Sequence, residues 1–142
     1  MSKRVPLPVT LVSWLFLLQG TLNGALGVLF LIELLSGRDV APGDPEGLIG
    51  LVVVSLFLAF CALLLLVGWN LRLGKRAALL GAIVASSLEG GFYALAALSG
   101  WVAHEIGFPA EWTLAALAGA GLHAAILVYL IFSPRVRDAF GR

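Results

Sequence analysis

The stretch LIGLVVVSLFLAFCALLLLVGW, Leu48–Trp69, carries no charged residue, and its only side chains with hydrogen-bonding groups are Ser55, Cys61 and the terminal Trp69. An α-helix rises 1.5 Å per residue, so about 20 apolar residues cross a hydrocarbon layer of roughly 30 Å. A helix apolar on every side cannot present a face to water. This one stretch therefore predicts a membrane-spanning helix.

Three further runs of the same kind flank it: Thr10–Leu35 before, and Ala77–Trp101 and Trp112–Phe132 after. The connecting segments hold the turn-forming residues, Ser36 to Pro45, Asn70 to Arg76 and His104 to Glu111. All six prolines fall outside the span centres, so no proline kink is expected. The composition agrees: 61% of residues are hydrophobic and 12% charged, against about 25% charged in soluble domains. The expected fold is all-α, a single domain over 1–142 with four transmembrane helices in an up-down-up-down bundle. Residues 133–142 form a basic tail, read as a helix stop at Ser133-Pro134 followed by an amphipathic stub at the headgroups. Lys3 and Arg4 precede the first run, as in a signal peptide. That run continues well past the roughly 7–15 residues of a secretory core, without a small-x-small closure, and reads as a retained helix.

Charge sets the expected orientation. Lys3, Arg4, Arg72, Lys75, Arg76, Arg135, Arg137 and Arg142 fall on one side, and only Arg38 on the other. The positive-inside rule then places both termini in the cytoplasm, with the protein a multi-pass component of the cell (inner) membrane. Asp39, Asp44, Glu46, Glu105 and Glu111 fall on the far side, and Trp14, Trp69, Trp101 and Trp112 near span ends. A two-hairpin internal repeat is also read, since Leu35-Ser36-Gly37 recurs as Leu98-Ser99-Gly100, and Leu71-Arg72-Leu73 aligns at the same offset with Pro134-Arg135-Val136.

The midplane is where the sequence points to chemistry. Gln19 and Asn23 flank the centre of the first span, Glu89 marks the centre of the third, and His123 that of the fourth. Helical spacing puts Gln19, Gly20, Asn23, Gly24 and Gly27 on one stripe, and Ala82, Ser86, Glu89 and Tyr93 on another. A charged side chain at the bilayer centre costs on the order of 2.5–3.5 kcal/mol on insertion scales. Glu89 must hold a proton, pair with a cation or face a wet cavity, and His123 is the titratable partner of matching depth. The candidate binding site is Glu89, His123, Asn23, Gln19, Ser86 and Tyr93. Gly20-x-x-x-Gly24 and Ala115-x-x-x-Gly119 are small-residue contacts through which helices of this chain, a second copy or another membrane subunit could pack. Glu33 reads as a snorkelling interfacial residue and Cys61 as a small apolar filler.

Much is excluded. A net charge of +1 argues against nucleic-acid binding. One cysteine rules out an intramolecular disulfide, CxxC exchange and a cysteine zinc site. His104 lies in an outer loop, away from His123, so a bis-histidine haem is not expected, and no cofactor or metal is implied. No Walker loop, dinucleotide fingerprint, HExxH or G-x-S-x-G is present. Three function classes remain. The leading one is a transporter- or sensor-like protein whose polar midplane site binds a proton, cation or small ligand. The second is a non-catalytic subunit of a larger membrane complex. The third is an enzyme using Glu89 and His123 as acid and base on a lipophilic substrate. Arg72, Lys75 and Arg76 could also meet anionic lipid.

Overall fold

The computed structural model describes residues 5–36, 45–103 and 110–141. The expectations for Lys3, Arg4, Arg38, Asp39, Asp44, His104, Glu105 and Arg142 fall outside the described residues, as do those for the side chains of Glu46 and Trp101. Four long helices, α1 (Leu7–Ser36), α2 (Pro45–Arg72), α3 (Arg76–Ala103) and α4 (Ala110–Phe132), are followed by a short α5 (Pro134–Phe140). All four long helices have the length and apolarity of candidate membrane spans. Each contains the run that predicts it and extends it by a few residues.

Lipid contact follows from what the helices leave uncovered. Leu18, Leu22, Leu26 and Leu29 of α1 are each more than half exposed, as are Leu56 and Leu66 of α2 and Leu88 and Leu95 of α3. A water-facing surface does not carry apolar area on this scale. The protein is helical and multi-pass. Mean hydropathy is lowest in α3, at 1.5, and highest in α2, at 3.0. The two extremes of packing match: 33% of the α3 span window is buried against 11% of the α2 window. The least apolar helix is the most enclosed one.

The expected bundle is organised as two hairpins. α1 packs along α2 and α3 along α4, and the hairpins meet chiefly through α2 and α3. Small residues explain why the hairpins are tight. A Cβ on Gly68 would sit 2.9 Å from the Ser13 carbonyl oxygen, and one on Gly20 would sit 3.0 Å from the Cys61 carbonyl oxygen. The backbones of α1 and α2 thus nearly touch. The Ser13 hydroxyl, fully buried, donates a 2.7 Å hydrogen bond across that seam to the Gly68 carbonyl. On α4, Gly119 lies under the Tyr93 ring of α3, and on α3, Gly90 lies against the His123 Cβ of α4. Within the two small-residue contacts read from the sequence, Gly20 and Gly119 are at close approaches. Gly24 has ordinary contact distance, and Ala115 is exposed while its neighbour Ala116 is buried.

Large buried side chains gather at one end of the molecule. Val9, Phe16, Leu64, Leu71, Leu79, Leu130, Val136 and Phe140 belong to one core cluster. That end carries the start of α1, the α2–α3 turn and α5. The turn closes with Gly74 at φ 71°, where the N–H groups of Gly74 and Lys75 donate to the Leu71 and Asn70 carbonyls. This is a Schellman cap, and its left-handed residue is best supplied by glycine. The stub expected of the tail forms α5 and folds its apolar face onto the core end of the bundle: Val136 and Phe140 are buried. The Arg76 guanidinium donates through Nε and Nη2 to the carbonyl oxygens of Phe140 and Gly141 at the end of α5. Arg72 lies 4.7 Å above the Trp14 ring, a cation–π contact at the same end. The basic side chains of the α2–α3 turn and of α5 thus share one end of the protein.

Candidate functional site

The site lies past the large-residue core, near mid-depth. α3 presents Glu89 and α4 presents His123, 6% and 2% exposed respectively. The Glu89 Oε2 and His123 Nε2 atoms are 3.4 Å apart. The close approach depends on Gly90, next to Glu89, which makes room for the His123 Cβ. Tyr93 lies one turn beyond Glu89 and stacks on the imidazole, with centroids 5.7 Å apart and ring planes 19° from parallel. Gly119, one turn before His123, makes room for that phenol ring.

Glu89 has a second neighbourhood. It lines a cavity of about 300 Å³ together with Gln19 and Asn23 of α1, Phe57, Phe60 and Cys61 of α2, and Leu88, Phe92 and Tyr93 of α3. This is the low end of the roughly 300–1,000 Å³ range of ligand pockets. Phe57, Leu88 and Phe92 are exposed toward the lipid-facing surface, so they stand at the cavity's rim. Gln19 and Asn23 are half-buried. The carboxyl group therefore stands between an imidazole on one side and a cavity on the other. In a low dielectric, a proton or cation at such a carboxylate is held more strongly than in water.

Five of the six sequence-selected residues come together. Glu89, Gln19, Asn23 and Tyr93 share the cavity, and His123 joins through Glu89 and Tyr93. Ser86 does not line the cavity: it is fully buried one turn before Glu89, and its hydroxyl has no hydrogen-bond partner. The pocket is also less polar than expected, because three phenylalanines and Cys61 form much of its wall. Those four carry no contrast within apolar spans, and only the depth they share with Glu89 could have signalled them. Cys61 is buried as expected of a filler, and in addition reaches the cavity. Glu33 is exposed near the far end of α1, as expected of a residue that reaches the interface. Buried polar atoms without a hydrogen-bond partner concentrate in this region: Ser86 Oγ, His123 Nδ1 and Glu89 Oε2, whose 3.4 Å approach to His123 Nε2 is an ion-pair distance without hydrogen-bond geometry, with the Tyr129 hydroxyl further along α4. Among the described residues, no group of three or more His, Cys, Asp or Glu could hold a metal ion.

Comparison with protein-family models, curated proteins and solved structures gives no match.

Proposed function

We propose that the chain is a transporter- or sensor-like membrane protein that binds a proton, cation or small ligand at Glu89. The observation that carries this reading is the double contact of one buried carboxyl group: imidazole at 3.4 Å on one side, a cavity on the other. Glu89 is the titrating acid. His123 is its proton partner, and its imidazole can accept or donate at Nε2. Asn23, Gln19 and Tyr93 line the ligand space, and Ser86 is buried one turn before Glu89, away from that space. Helix–helix glue needs the carboxyl and the imidazole but leaves no role for a cavity walled by residues of three helices. The basic end, with Arg72, Lys75 and Arg76, faces the cytoplasm in this reading, where Arg72 and Lys75 meet anionic lipid and Arg76 holds α5.

Infrared difference spectroscopy of the reconstituted protein tests the titration. Between acid and alkaline buffer the wild type should lose the carbonyl stretch of a protonated carboxyl group. Glu89→Gln should lack that component while keeping its helical content, and His123→Gln should shift it. Superimposable spectra from the wild type and Glu89→Gln would remove Glu89 from any proton chemistry.

A further inference from the structure

We propose that the mid-depth cavity binds a small organic monocation with an aromatic or alkyl body, which enters from the bilayer and takes the place of a proton at Glu89. The inference names the ligand class of the site above and rests on the reading of Glu89 as a titrating group.

The cavity wall selects by charge first. Among the described residues, Glu89 is its one group that becomes a carboxylate, and no lysine or arginine lines it. An anionic ligand would meet only repulsion there. The titratable groups around Glu89 are His123 on α4, Tyr93 on its own helix, and Cys61 on α2, while α1 contributes only the uncharged amides of Gln19 and Asn23.

Aromatic rings select the kind of cation. Phe57, Phe60, Phe92 and Tyr93 are four of the nine lining residues. The face of an aromatic ring is negative and attracts an ammonium group within about 6 Å of its centroid. A bare metal ion needs a shell of oxygen, nitrogen or sulfur ligands. This wall supplies the Glu89 carboxylate and the Tyr93 phenol from α3, two amides from α1 and the Cys61 thiol from α2, and among the described residues no group of three or more His, Cys, Asp or Glu gathers to hold a metal ion. An alkylated ammonium needs no such shell, and its hydrocarbon part suits Leu88 and the phenylalanines. If the ligand carries an N–H, the amide oxygens of Gln19 and Asn23 can accept from it.

Size and entrance agree. A volume of about 300 Å³ corresponds to the bulk-liquid share of about ten waters, room for one ring and a substituted ammonium. The rim residues Phe57, Leu88 and Phe92 are 41%, 56% and 70% exposed on the lipid-facing surface. An amphiphilic cation already dissolved in the interface has the shortest route. Cation and proton occupy the carboxylate in turn: as the cation binds, one proton leaves Glu89, and the charge of the site is conserved.

The test uses benzyltrimethylammonium, a permanent cation, and neopentylbenzene, its uncharged isostere, with the full chain in lipid nanodiscs and empty nanodiscs as the blank. The cation should bind saturably above the blank, more weakly as pH is lowered. Glu89→Gln should weaken it about thirtyfold or more, as expected for removal of one partner of a desolvated charge pair. Phe92→Leu should weaken it about threefold through loss of a cation–π contact. The isostere should bind no better than to the blank. Equal binding of the two compounds, wild-type affinity in Glu89→Gln, or no saturable binding would each overturn the ligand class. The infrared carboxyl signal recorded on the same nanodiscs separates the two levels. If that signal persists without cation binding, the monocation is wrong and the titrating site stands; if both are missing, both fail.

Discussion

Glu89 and His123 meet because glycines let two helix backbones approach. Gly119 gives the sharpest handle on that geometry. Its added Cβ would sit 2.9 Å from Cγ and Cδ1 of Tyr93, so Gly119→Ala must push the ring off the imidazole. Overpacking of this kind costs about 1–3 kcal/mol. Thermal unfolding in detergent should show the loss, and the Glu89 carboxyl band should shift with it. Gly121→Ala is the matched control, because nothing lies within 4 Å of its added methyl group. It should be neutral or gain up to about 1 kcal/mol from helix propensity. Equal losses in the two variants would mean that the Tyr93 contact is not what Gly119 protects. Polarity made this part of the site readable in sequence, since Gln19, Asn23, Glu89 and His123 stand out at one depth. The residues that sequence reading passed over, Phe57, Phe60 and Phe92, lie in apolar runs where a cavity wall and a lipid-facing surface look alike. Ser86 shows the opposite error: three residues from Glu89 it shares the helix face, but one turn of rise carries it away from the cavity.

The hairpin is the next unit up. In α1–α2 the seam is held by close backbone contact and by the Ser13–Gly68 hydrogen bond. Interhelical hydrogen bonds in membranes contribute about 0.6 kcal/mol on average and up to about 1.7. Ser13→Ala should therefore destabilise the hairpin only modestly. Gly68→Ala should cost more, because its methyl group would meet backbone at 2.9 Å, whereas the same change at Gly24 meets a single side-chain atom at 3.7 Å. Steric trapping of the unfolded chain in bicelles orders the three variants. A Gly24→Ala loss equal to that of Gly68→Ala would contradict the seam as described. The tail is the other element-scale test. Arg76→Gln removes the guanidinium that holds the end of α5, so trypsin should cut at Arg135 and Arg137 faster than in the wild type. The spans were readable from the sequence to within a few residues because charge and proline mark their ends. The docking of α5 was not, because Val136 and Phe140 make the same amphipathic pattern whether that apolar face meets lipid or a protein core.

At the scale of the whole molecule, the two hairpins share a large-residue core at one end and a cavity past it. The basic α2–α3 turn and α5 lie together at the core end. If the positive-inside rule holds, that end is cytoplasmic. With Cys61→Ala removing the native thiol, Leu73→Cys places a single exposed cysteine beside the turn. An impermeant maleimide should label it in inside-out vesicles and not in intact cells; the reverse pattern would invert the topology. Hydropathy predicted four spans, and the repeat reading paired them as two hairpins, but neither located the seams that close each hairpin. Those seams depend on glycines at particular positions, and apolar sequence does not reveal which glycine faces which helix.

The proposed function depends on the pairing of one carboxyl with one imidazole. The chain has two histidines, His104 and His123, so His104→Ala leaves His123 as the sole imidazole. Nitrogen-15 NMR of labelled histidine in lipid then follows its Nε2 directly across a pH titration. The resonance should move along a curve that Glu89→Gln displaces. Identical curves with and without the Glu89 carboxyl would show that the two side chains do not interact.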